Sequence, residues 1–121
     1  MYEGVLIAES LRVGATLDDV DLTVTSLNRI AISDPAPGQP PVWTLISFRT
    51  DADPDRLAAA LSEALDAPGW YVDFHDGERR YVVFPAGRVF AFARGDDAGR
   101  LAALTHGRVL GIPDQQLDWT S

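Results

Sequence analysis

Neither cysteine nor lysine occurs in this chain, and methionine occurs once. The missing cysteine excludes disulfide frameworks, thiolate metal sites and cysteine nucleophiles. The missing lysine excludes a Walker-type phosphate loop, whose lysine reaches the terminal phosphates, and "GDDAG" departs from the dinucleotide-binding fingerprint. No cofactor is therefore expected. Long apolar runs are absent as well: the opening stretch MYEGVLIAES carries Glu3 and is too short in apolar residues for a signal peptide or a membrane span, which makes the cytoplasm the default location.

Charge of one sign is scarce. Ten basic residues, all arginine, stand against eighteen acidic ones, for a formal net charge of −8. Such a surface repels phosphate backbones and anionic lipid heads, so neither nucleic acid nor a membrane is an expected partner. With 46% hydrophobic and 23% charged residues, the 121-residue chain has ordinary globular composition and enough length to bury a core without staples. A single domain over 1–121 follows, with no internal repeat or coiled-coil heptads.

EGVLIAES reads as a first strand and DLTVTSLNRIAIS as a second, rich in β-branched residues. In the second, Ser26 and Asn28 interrupt the apolar parity of Leu22, Val24, Ile30 and Ile32, which predicts a bulge or an exposed end. The proline-dense DPAPGQPP is a surface hairpin loop, and VWTLISF is the third strand. DADPDRLAAALSEALDAPG carries the clearest helix signal: Asp53 as N-cap, Pro54 in the first turn, Leu57, Leu61, Ala64 and Leu65 on the inner face, Pro68-Gly69 as the stop.

WYVDFHDGERRYVVFPAGRVFAFAR divides into three antiparallel strands at Asp76-Gly77 and Ala86-Gly87. Two-residue turns set Asp73 opposite Arg80, His75 opposite Glu78 and Val83 opposite Phe90. Trp70, Val72, Phe74, Tyr81, Val83, Phe90 and Phe92 then share the face that the helices cover. A last helix runs from its N-cap Asp96 to Gly111, with Ala98, Leu101, Ala102, Thr105 and Val109 as its expected inner stripe. Gly107 falls outside that stripe, where it weakens the helix unless its backbone approaches something closely. Beyond Pro113, Leu117 and Trp119 return to the body of the domain, with Trp119 either a docking anchor or an exposed hot spot for a partner.

One constellation could carry chemistry. Alternation puts Tyr71, Asp73 and His75 on one face, with Glu78 and Arg80 opposite them, and an imidazole flanked by carboxylates can act in acid/base catalysis or in ligand binding. The same arrangement also serves as ordinary ion pairing across a hairpin. It lacks the spacing of a structural zinc site, no serine lies in a nucleophile-elbow pattern, and no metal is expected. On the outer face Val82, Phe84 and Val89 form an apolar patch, which predicts a homodimer interface unless other parts of the chain cover it.

The stretches RGDDAGR, HGRVLGIP and QLDW, with PGQPPVWTLISF and APGWYVDF before them, resemble an uncharacterised family of small bacterial proteins with a GIPxxQLDW-type tail. The resemblance spans most of the chain and implies one intact domain; it brings no activity with it. The resulting expectation is an α+β two-layer sandwich: an antiparallel-dominated sheet with two helices on one face, locally ferredoxin-like where the third strand, first helix and fourth strand make a crossover. For function, acidity and the lack of catalytic motifs point to a non-enzymatic protein-interaction or regulatory module, such as an acidic inhibitor or immunity-type protein. The alternative is a small-ligand-binding or catalytic domain built on Tyr71, Asp73, His75, Glu78 and Arg80.

Overall fold

The computed structural model describes residues 1–119. In chain order the elements are β1 (Tyr2–Ile7), β2 (Thr23–Ala31), β3 (Val42–Thr50), α1 (Pro54–Ala64), β4 (Val72–His75), β5 (Arg79–Val83), β6 (Val89–Ala93) and α2 (Asp97–Val109), with short helical turns at Ala8–Ser10 and Asp114–Gln116. The strands form one sheet in the order β2-β3-β1-β4-β5-β6, with every neighbouring pair antiparallel. This is the expected α+β sandwich. β1 lies between β3 and β4, so the β3-α1-β4 connection crosses over it and leaves β3 and β4 parallel to each other, which is the ferredoxin-like part.

Local chemistry explains the helix ends. The Asp53 side chain accepts a hydrogen bond from the Arg56 amide at 3.3 Å, and Pro54 occupies the first turn, where its missing N–H costs nothing. Asp96 does the same for the Gly99 amide at 3.0 Å. α2 ends in a Schellman motif, in which the Ile112 and Gly111 amides donate to the Gly107 and Arg108 carbonyls and Gly111 takes φ +81°. At the far end of α1, residues 10–12 stitch the chain down: the Arg12 amide donates to the Ala64 carbonyl, and its guanidinium donates to that of Glu63.

α1 lays Leu57 and Leu61, both without exposed surface, on Phe48, Val72, Phe74, Tyr81 and Val83. Its inner face is as expected, with Ala58 and Ser62 added to it. Ser62, outside the apolar stripe, is buried, where its hydroxyl donates to the Phe84 carbonyl at 2.6 Å and accepts from the Gly87 amide at 2.7 Å. The hydroxyl thereby satisfies two backbone groups of the β5–β6 connection, which is why a polar residue is stable there.

The second helix corrects the expectation of both helices on one face. The connection between β5 and β6 holds three residues beyond the Phe84–Arg88 bond, not two, with Ala86 at φ +63° and Gly87 at φ +77°. Val83 therefore pairs with Val89, and Val82 with Phe90. One extra residue turns the whole strand over. Phe90 and Phe92 face away from α1, and α2 packs with the C-terminal segment on this opposite side, over Val82, Phe84 and Phe92.

α2 itself is rotated from the expected setting. Its buried positions are Ala103 and Gly107, while Leu101 and Val109 are 55% and 75% exposed. Small residues set the contact. A Cβ added to Gly99 would lie 2.5 Å from the Phe92 Cβ, and one added to Gly107 would lie 2.8 Å from Leu117 Cδ2. The helix backbone thus sits directly on the aromatic layer, and Gly107 is there for the close approach of Leu117.

Candidate functional site

On the α1 side, residues of the 8–22 segment, among them Leu11, Leu17 and Val20, fill the space over β1 and β3 that α1 leaves. The other side differs. α2 and the tail cover β4, β5 and β6, and the covering stops at a cleft of about 450 Å³ over β1 and β3. Its floor is apolar, formed by Val5 and Ile7 of β1, Trp43 and Leu45 of β3, Ile30 and Ile32. Trp70 stands edge-on to Trp43, with ring centroids 5.3 Å apart, and the Trp43 indole N–H is satisfied by the Pro40 carbonyl at 2.9 Å.

The walls come from segments far apart in sequence. Gln39 of the proline-rich loop and Gln116 of the tail exchange a reciprocal pair of amide hydrogen bonds at 3.1 and 2.9 Å, and Gln115 donates to Asp34 at 3.3 Å. The Tyr71 hydroxyl donates to the Gln116 carbonyl. Trp119, 4% exposed, packs at 5.1 Å from the Tyr71 ring, and Leu117 beside it is equally buried. The anchoring role of Trp119 is the one realised, and its burial holds the tail as a fixed wall. Burying an indole of this size contributes on the order of 2 kcal/mol.

Three carboxylates line this space: Asp34, Asp73 and Asp118, and no basic residue lines it among the described residues. Arg80, one strand over on the same face of the sheet, pairs with Asp73. Burial raises the Asp73 pKa from the ordinary carboxylate value despite the guanidinium. Tyr71 is raised likewise, first by burial and then by the charges of Asp73 and Asp118, so its phenol remains a neutral donor. The result is an acidic, aromatic-walled slot suited to a positively charged group with an apolar stem.

Of the five residues singled out in the sequence, Tyr71 and Asp73 line the cleft and Arg80 supports Asp73. The first hairpin closes one residue later than read, with Asp76 bonded to Arg79, so Arg80 stands opposite His75 and Val82 opposite Asp73. The face assignment survives because the shift is even. His75 lies beyond the cleft, 3.9 Å from Glu3 on β1, and Glu78 sits exposed in the turn. The five form no common site. Among the described residues, no group of three or more potential metal ligands comes together.

The expected apolar interface is corrected too. Val82 and Phe84 have no exposed surface beneath α2 and the tail, Trp119 is buried beside them, and Val89 pairs with Val83 on the opposite, α1 side. The patch is core. His106 packs at 4.8 Å from the Phe84 ring; burial, then the charge of Arg88, lowers its pKa, and its Nε2 has no hydrogen-bond partner among the described residues.

Sequence reasoning missed Asp34, Trp43, Trp70, Gln116 and Asp118 as parts of one site. The signal available was their placement: the stretches PGQPPVWTLISF, APGWYVDF and QLDW supply Gln39, Trp43, Leu45, Trp70, Tyr71, Asp73, Gln116 and Asp118, which meet at this cleft. Comparison with family models, with curated proteins and with solved structures finds no match.

Proposed function

We propose that the protein is a non-enzymatic interaction module whose cleft receives basic side chains of a protein partner. The observation that supports this reading is the pairing of an apolar, aromatic floor with Asp34 and Asp118, neither of which pairs with a cation among the described residues, in a chain of net charge −8. The volume falls within the range of ligand-sized clefts, roughly 300–1,000 Å³. An arginine or lysine stem would lie along Val5, Ile7 and Leu45 while its charged head meets the carboxylates, with long-range attraction steering a basic partner to the acidic surface. An acidic antagonist of a basic protein would work in this way. The same charge argues against nucleic acid and anionic membranes as partners, and no helix among the described residues is long and apolar enough to cross a membrane.

A catalytic role draws no support from the geometry: Asp73 is held by Arg80, and the imidazole of His75 lies outside the cleft. Titration with an arginine-rich peptide, followed by tryptophan fluorescence, tests the proposal. Saturable binding that salt weakens is expected, and Asp34→Asn with Asp118→Asn should weaken it about tenfold, since partly exposed ion pairs are worth up to about 1 kcal/mol each. Equal binding of a glutamate-rich peptide, or indifference to the two substitutions, would overturn it.

A further inference from the structure

β2 is an edge strand of nine residues, and all nine are exposed. Its inner side is paired with β3, and its outer N–H and C=O groups have no strand beside them among the described residues. A free edge about 30 Å long is an open template for another strand, and proteins that stay apart usually blunt such edges with proline, lysine, charge or short length. β2 has no proline and no lysine, and Arg29 is its one charged residue. Its bulge, between Val24 and Ser26, lies near one end and leaves the remainder in regular register. Val24 and Leu27 are 57% and 64% exposed on it.

The opposite edge shows the contrast. β6 has five residues and is bracketed by Arg88 and Arg94.

We propose that β2 is the self-association edge of the protein, at which two copies pair antiparallel about a twofold axis and continue the sheet from one molecule into the next. The occupant follows from charge. Two copies of net charge −8 repel over most of their surfaces, and the stretch from Leu22 to Ser33 carries no acidic residue. Self-contact is least opposed there. An antiparallel ladder is also its own complement, which an isologous interface requires. Centred on Leu27, the pairing overlaps the whole strand, brings the two Leu27 side chains together at the axis and keeps the two Arg29 charges off it. The axis stands perpendicular to the sheet, so both clefts open on the same side, and Ile30 and Ile32, which line each cleft, flank the seam. The inference stands independently of what occupies the cleft.

Sedimentation equilibrium of the full chain at micromolar concentrations tests it. A dimer is expected, with Leu27→Lys raising its dissociation constant by about tenfold or more while circular dichroism shows the fold unchanged. The chain has no cysteine, so Leu27→Cys offers a second readout. Facing Cα atoms in an antiparallel pair lie about 4.5–5.5 Å apart, within the span of a disulfide. Mild oxidation should yield a covalent dimer for Leu27→Cys and none for Val109→Cys on the outer face of α2. A monomeric wild type, a dimer untouched by Leu27→Lys, or one abolished instead by Leu101→Glu with Val109→Glu would overturn the proposal.

Discussion

Two strands of the same sheet are built on opposite terms. In β5, Val82 and Val83 point to opposite faces and both are fully buried, one beneath α2 and the tail, the other beneath α1. In β2 no residue is buried at all. The same antiparallel ladder thus runs from a core layered on both faces to an edge in open water, with the cleft at the boundary. On the function proposed above, stability and recognition are divided along the sheet: the strands packed on both faces can be rigid, and the edge left open can take a partner.

Substitution in the packed half should have the largest effect. Phe84 meets the rings of Tyr71, Phe90 and His106 and has no exposed surface. Phe84→Ala should cost about 3–5 kcal/mol, read by denaturant unfolding; a loss of less than about 1 kcal/mol would show that the second layer is not core. Gly99→Ala comes next. The added methyl would lie 2.5 Å from the Phe92 Cβ, which cannot rotate away, so a net loss of about 1–3 kcal/mol is expected in spite of alanine's better helix propensity.

The third effect is smaller and depends on pH. Burial, with Arg88 adding to it, lowers the His106 pKa from 6.5 in the folded state, so folding favours the neutral imidazole. That contribution is fully present above the unfolded pKa and is lost as pH falls through the folded one. The melting temperature should fall as the solution is acidified below about pH 6.5, and His106→Gln should flatten this dependence while leaving carboxylate effects at lower pH in place.

The smallest effects belong to exposed positions. Leu101→Ala should change stability by no more than about 0.5 kcal/mol, because its side chain faces solvent. A loss near 2 kcal/mol would restore the apolar stripe of α2 as its inner face.

That last case shows where sequence reading succeeds and where it stops. The elements were legible because their signals are local: Asp53-Pro54, Asp96 and Gly111 mark helix ends, and the broken parity at Ser26 and Asn28 marked both the bulge and the exposure of β2. The face of α2 was not. Ala98, Leu101, Ala102, Thr105 and Val109 are the more apolar stripe, yet Gly99, Ala103 and Gly107 lie inside, because close approach of the backbone to Phe92 and Leu117 outweighs side-chain hydrophobicity. Likewise a three-residue connection after Phe84 looks like a two-residue one in sequence, and that single residue decides which side Phe90 and Phe92 occupy. Half of the candidate site was within reach, since strand alternation alone places Tyr71 beside Asp73. Trp43 joins them through the pairing of β3 with β1, and Asp34, Gln116 and Asp118 through the Gln39–Gln116 bridge, the Gln115–Asp34 bond and the docking of Trp119, contacts between distant segments that no local pattern encodes.

The division of the sheet is tested most directly by mapping amide and indole NMR shifts while an arginine-rich peptide is added. Changes should concentrate at Val5, Ile7, Trp43, Leu45, Tyr71, Asp73 and Gln116–Asp118, and leave α1 and the paired faces of β5 and β6 unmoved. Shifts centred on α1 or on the β5–β6 hairpin, with the cleft residues silent, would contradict the account.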